Sequence, residues 1–169
     1  MRILGIDPGL GATGLGVIEG DRDTVRHVYH TAVRPSSSLP LPERLEVIRS
    51  AVRDAARDWH ADAAAVESGY VGPNPRSALA LGQARAAALL GVADAGIPVF
   101  EYAPAIVKQT IAGYGRGDKG QVARMVRLQL GLEEEPRPAD AADALAVAIT
   151  HWAHWRLDAA RPSDARSGR

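Results

Sequence analysis

Apolar residues come in short blocks along this chain, and the polar positions between them predict the elements. Residues 2–6 form a short, apolar, β-prone run. Gly9, Gly11, Gly14 and Gly16 follow, then Val17-Ile18-Glu19-Gly20, and residues 24–33 are rich in Val, Thr and Tyr. These blocks predict three strands joined by tight turns, hence antiparallel. Residues 35–38 are a loop. Over residues 43–59, Leu45, Ile48, Val52, Ala55 and Trp59 share one face, with Arg and Asp elsewhere. That spacing predicts an amphipathic helix covering a sheet.

In the second half, residues 63–67 predict a short buried strand ending in Glu67, and residues 69–75 a loop rich in Gly and Pro. Residues 77–95 predict a long helix that is apolar nearly all round. Such a helix is buried on more than one side, and in a small chain the second side suggests a subunit interface. A strand over 98–102, a helix over 105–112 and a helix from an Asp118 N-cap to Leu130 come next. Residues 133–138 form a linker, residues 139–155 the last helix, and residues 156–169 a polar, disordered tail. Three antiparallel strands, then helices alternating with single strands, imply an α/β fold: a mixed sheet with helices on both faces. Residues 1–155 form one domain.

Composition narrows the chemistry. The chain has 169 residues and no cysteine, which removes disulfides, thiolate zinc sites and cysteine nucleophiles together. No apolar run reaches about 18 residues, so no membrane span is expected. The N-terminus has no signal-peptide plan, and the expected compartment is the cytoplasm. Only Lys108 and Lys119 are lysines among 20 basic residues, in a chain otherwise biased to Arg. The formal net charge is zero, which taken alone argues against a nucleic-acid partner. That zero is a cancellation. Residues 102–132 carry a net +4 and residues 133–143 a net −4. A basic stretch abutting an acidic one suits phosphate binding beside a metal site, or simply two solvated faces.

Four carboxylates attract attention. Asp7 ends the first strand, ahead of Pro8-Gly9, and Glu67 ends the fourth. Asp140 and Asp143 share one face at the start of the last helix. Each has a plain structural reading: a turn cap for Asp7, emergence into solvent for Glu67, and the helix dipole for the other two. If all four converge, two unit charges about 5 Å apart repel by roughly 3 kcal/mol at an effective dielectric near 20. A hard divalent ion, Mg²⁺ or Mn²⁺, offsets that repulsion with all-oxygen ligands. Two such ions suit in-line displacement at phosphorus. Gly9-Leu10-Gly11-Ala12-Thr13-Gly14 matches a dinucleotide fingerprint literally, but a returning strand follows, so a tight hairpin turn is expected. His151 and His154 lack a third ligand and are expected on the helix surface. Tyr70, in the Gly/Pro loop, either stacks on an unpaired base or packs on its own domain.

Taken in order, Gly5-Ile6-Asp7-Pro8-Gly9, Val66-Glu67, Leu81-Gly82-Gln83-Ala84-Arg85, Val107-Lys108-Gln109-Thr110 and Asp140-Ala141-Ala142-Asp143-Ala144-Leu145-Ala146 resemble the RuvC family of Holliday junction resolvases. The resemblance spans roughly residues 1–155. It implies a ribonuclease-H-like fold, a homodimer, and a structure-selective endonuclease that nicks four-way DNA junctions symmetrically. It implies that Asp7, Glu67, Asp140 and Asp143 bind two Mg²⁺ or Mn²⁺ ions per site. Some members carry His at the position of Asp140; this chain is all carboxylate. Tyr70 matches the loop aromatic that meets the crossover bases, where Phe is common. Lys108 and Lys119 match functional basic residues near the scissile phosphate. The Gly72-Pro73-Asn74-Pro75 stretch departs from the family's pattern. The family acts with the RuvAB branch-migration complex. Two other classes share features: an actin-like or sugar-kinase phosphotransferase, which needs two such domains, and a junction-binding module without catalysis.

Overall fold

The computed structural model describes residues 1–68, 74–113 and 120–160. Strands β1 (Arg2–Asp7), β2 (Thr13–Gly20) and β3 (Val25–Val33) lead into helix α1 (Leu41–Asp58). Strand β4 (Ala63–Glu67), helix α2 (Pro75–Ala95) and strand β5 (Val99–Tyr102) follow. Helices α3 (Pro104–Ala112), α4 (Gln121–Leu130) and α5 (Ala139–Ala160) complete the order. The sheet runs β3-β2-β1-β4-β5. β1, β2 and β3 pair antiparallel, and β4 and β5 join in parallel. This is the expected mixed sheet with helices on both faces.

Alternation along the strands divides the core in two. Leu4, Ile6, Leu15, Val17, Ala64 and Val66 pack against Ile48 and Val52 of α1 and Ala84, Ala88 and Val92 of α2. Ile3, Ile18 and Ala65 face the other way, against Val107 and Ile111 of α3, Val126 of α4 and Leu145 and Ile149 of α5. Each fully buried Val, Leu or Ile contributes about 1.5–3 kcal/mol.

Helix α5 lies unusually close to the sheet because β1 and β2 present glycine to it. A Cβ on Gly5 would sit 2.0 Å from the Ala144 carbonyl oxygen, and one on Gly14 would sit 1.8 Å from that of Asp140. A Cβ on Gly16 would strike Leu145, and one on Gly20 the Trp152 ring. Of the glycines expected in a tight hairpin turn, Gly9 and Gly11 lie between β1 and β2 as expected, and a Cβ on Gly9 would meet the Ala12 carbonyl oxygen at 2.3 Å. Thr13 Oγ1 closes the same turn by donating to the Gly9 carbonyl at 2.9 Å. Gly14 and Gly16 lie within β2 and form part of a track for α5.

Other boundaries moved for local reasons. α2 starts at Pro75, because the Asn74 side chain caps it by accepting from the Arg76 and Ser77 backbone N–H groups. α4 starts at Gln121 with Gly120 in the N-cap position, so Asp118, which lies outside the described residues, is not its cap. α5 continues five residues beyond Trp155, to Ala160, so residues 156–160 are helix rather than the start of a tail. Arg156 stacks over the Trp152 ring, 4.7 Å from its centroid, and supports that extra turn. His151 is buried, not on the helix surface as expected. It is 4% exposed, accepts or donates to Tyr102 Oη at 2.8 Å, and stacks on Phe100. His154 is exposed, as expected. Among the described residues no helix is long and apolar enough to cross a membrane.

Candidate active site

Side-chain alternation decides which acids can meet. On β1, Ile3, Gly5 and Asp7 share the face that looks at α5. On β4, Ala63, Ala65 and Glu67 do the same. The parallel register sets Ile6 beside Val66, so the next residues, Asp7 and Glu67, end adjacent strands side by side. Adjacent strands lie about 4.8 Å apart. Asp7 also pairs with Gly14 on β2. The Asp140 backbone rests on the empty side of Gly14, which brings the start of α5 to the mouth of Asp7. Asp143 follows one turn later on the same helix face.

The electrostatics report the same convergence. Burial, then the charges of Glu67, Asp143 and Asp140, push the Asp7 carboxyl from 3.8 up to about 7. Burial and Asp143 raise Glu67, while Lys108 opposes the rise. Burial and Asp140 raise Asp143, and Lys108 again opposes it. All four sequence-predicted carboxylates therefore stand at one end of the sheet, with exposed Lys108 of α3 beside two of them. Among the described residues no three of these side chains lie close enough together to hold one metal ion. Tyr70 and Lys119 lie outside the described residues.

A further charged residue escaped the sequence reading. Arg34, just beyond β3, donates from Nη2 to Asp140 Oδ2 at 2.9 Å. Nothing in the spacing of Arg34 singles it out among so many arginines. The glycine track did leave a signal. Gly14, Gly16 and Gly20 recur at even spacing on one strand face, and α5 is correspondingly rich in Ala.

The donor set fits hard divalent cations. It is all oxygen and carries up to four negative charges, and burial together with mutual repulsion raises Asp7 to about 7.

Comparison with known proteins gives a consistent result. Residues 3–151 match the family model described as crossover junction endodeoxyribonuclease RuvC. A protein of that description from Chloroflexus aggregans is 51% identical over 151 residues, covering 89% of this chain and 92% of the relative. The solved structure of Thermus thermophilus RuvC superposes with a TM-score of 0.84 at 39% identity, covering 96% of this chain and 99% of that one. A second T. thermophilus RuvC structure, in complex with a Holliday junction substrate, gives the same TM-score at 37% identity, with the same coverage of both chains.

Proposed function

The chain belongs to the RuvC family of crossover junction endodeoxyribonucleases, and on that premise we propose that it resolves four-way DNA junctions by paired symmetric nicks. One observation carries the reading at the level of residues: Asp7, Glu67, Asp140 and Asp143 converge beside Lys108 at one end of the sheet. In this reading those four carboxylates hold Mg²⁺ or Mn²⁺. Two such ions would activate water and stabilise the leaving 3′ oxygen, giving 5′-phosphate and 3′-hydroxyl ends.

The protein's own groups prepare that chemistry. Burial first, and the neighbouring negative charges second, favour the protonated form of Asp7, and a bound cation would favour its carboxylate instead. Lys108 opposes the rise of Glu67 and Asp143 and presents an ammonium to the scissile phosphate. Lys119 adds a second ammonium near the scissile phosphate, and Tyr70 stacks on a base at the crossover.

The reading includes a homodimer joined through α2. Its Ala84, Ala87, Ala88, Gly91 and Val92 are buried against α1, yet Leu79 and Leu90 on the opposite side are 64% and 54% exposed. An open apolar face of this kind on a helix is covered by a second copy, and two copies offer two active sites to the two symmetric strands. In the cytoplasm the dimer would work with the RuvAB branch-migration complex.

A synthetic four-way junction tests the whole reading. Paired symmetric nicks are expected with Mg²⁺ or Mn²⁺ and none with EDTA. Binding without cleavage under every divalent ion would leave only the junction-binding module. Asp7→Asn is expected to keep junction binding and lose cleavage; normal cleavage by that variant would remove Asp7 from the site.

A further inference from the structure

One irregularity in the sheet aims a cation at the acidic site. Along β3 the register pairs Ile18 with His27 but Val17 with Tyr29, so Val28 is an extra, unpaired residue. Such a bulge inverts the facing of everything after it. Before the bulge, Val25 and His27 face α5, while Arg26 faces away and pairs with Glu19. After it, Tyr29 turns to the α1 side and stacks on Trp59, and Val33 joins the same core. His30 and Ala32 now oppose Gly16 and Gly14, on the α5 side. Arg34 continues that alternation and reaches Asp140. Without the bulge it would sit on the opposite face of the sheet.

The Arg34–Asp140 contact is built to be exchangeable. It is one hydrogen bond, from Nη2 to Oδ2, rather than a two-pronged fork. Both side chains are reached by solvent, 54% for Arg34 and 34% for Asp140. An exposed pair of this kind changes an equilibrium by about five-fold at most. Asp140 also faces Asp7 and Asp143, so a divalent ion that offsets several carboxylates at once outcompetes one guanidinium for it. The guanidinium then released stands at the rim of the site, with five donors in a plane suited to phosphate oxygens.

We propose that Arg34 exchanges partners: it holds the Asp140 carboxylate while the site is free of metal, and turns to a phosphate of the DNA backbone when Asp140 is given up to the ion. Metal loading thereby adds a DNA contact. The proposal rests on the metal-site reading above, but its test is made without metal, so the two fail separately.

The test is a double-mutant cycle of junction binding in EDTA, read as a function of salt. Asp140→Asn frees Arg34 without any ion. It is expected to tighten binding about three- to five-fold more when Arg34 is intact than in the Arg34→Gln background. It should also steepen the dependence of log K on log salt by about 0.9, the value for one phosphate. Wild type and Arg34→Gln should bind alike in EDTA, because Arg34 is then occupied. Equal gains from Asp140→Asn in both backgrounds would overturn the exchange. So would an equal loss from Arg34→Gln with and without Asp140. Arg34→Met serves as a second neutral variant if thermal melting shows Arg34→Gln to be unfolded, and Arg34→Lys is expected to retain the salt slope.

Discussion

Asp7→Asn should stabilise the metal-free protein at pH 8 while abolishing its chemistry. The folded state raises the Asp7 carboxyl from 3.8 to about 7. That rise of about 3 units corresponds to about 4 kcal/mol at 1.36 kcal/mol per unit. The sign follows from proton binding. Near pH 4 and below, Asp7 is neutral in the folded protein and its burial costs little. As pH rises to about 7 the unfolded chain ionises freely, while the folded site must either hold the proton or bear a charge among three other carboxylates. Stability of the metal-free wild type relative to Asp7→Asn is therefore lost across this window and stays low above it. Local water and side-chain relaxation reduce the full value, so the expected gain at pH 8 is about 1–4 kcal/mol. At roughly 2–4 °C per kcal/mol for a domain of this size, the melting temperature should rise by roughly 2–16 °C. The assay is thermal and urea unfolding of both proteins in EDTA, from pH 4 to pH 8. The gap should be small at pH 4 and widen to its full size by pH 8. Saturating Mg²⁺ or Mn²⁺ should narrow it, since about 2.7 kcal/mol accrues to the binding-competent protein at 100 times Kd. A gap that does not change with pH, or a wild type that is the more stable at pH 8, would refute the reasoning.

Four further outcomes follow from the same geometry. Gly14→Ala places a Cβ 1.8 Å from the Asp140 carbonyl oxygen; it should cost about 1–3 kcal/mol in unfolding and reduce cleavage more than about 10-fold in protein that remains folded. Gly11→Ala meets nothing within 4 Å and should leave both readings unchanged. Lys108→Gln removes the charge that opposes the rise of Glu67 and Asp143, so the acid limb of the pH–rate profile should move to higher pH; an unmoved limb would separate Lys108 from these carboxylates. Leu90→Glu on the open face of α2 should convert a dimer to a monomer in sedimentation while changing monomer stability by no more than about 0.5 kcal/mol; a persisting dimer would place the interface elsewhere.

Much of this molecule is legible as a string. Short apolar runs mark β1 and β4, and the last residue of each is a carboxylate. The spacing of three between Asp140 and Asp143 puts them on one helix face. The split of a zero net charge into a basic stretch and an acidic stretch pointed to phosphate beside metal. These features are local, and backbone geometry within a few residues fixes them. The burial of His151 was not legible, because it depends on Tyr102 and Phe100 of β5, an element some fifty residues away in the chain.

By itself, then, the sequence determined the elements, the identity of the four acids and the side of each element on which they lie. The tertiary structure decided how close they come and what else joins them. Convergence depends on Gly5 and Gly14 lying under the Ala144 and Asp140 carbonyls, a contact between segments more than 120 residues apart. Arg34 reaches Asp140 because one unpaired residue, Val28, inverts the facing of β3. A bulge leaves no mark in composition or periodicity, since either parity of β3 presents an acceptable mixture of side chains. Only packing both faces of the sheet at once selects between the two parities. That selection needs the whole fold.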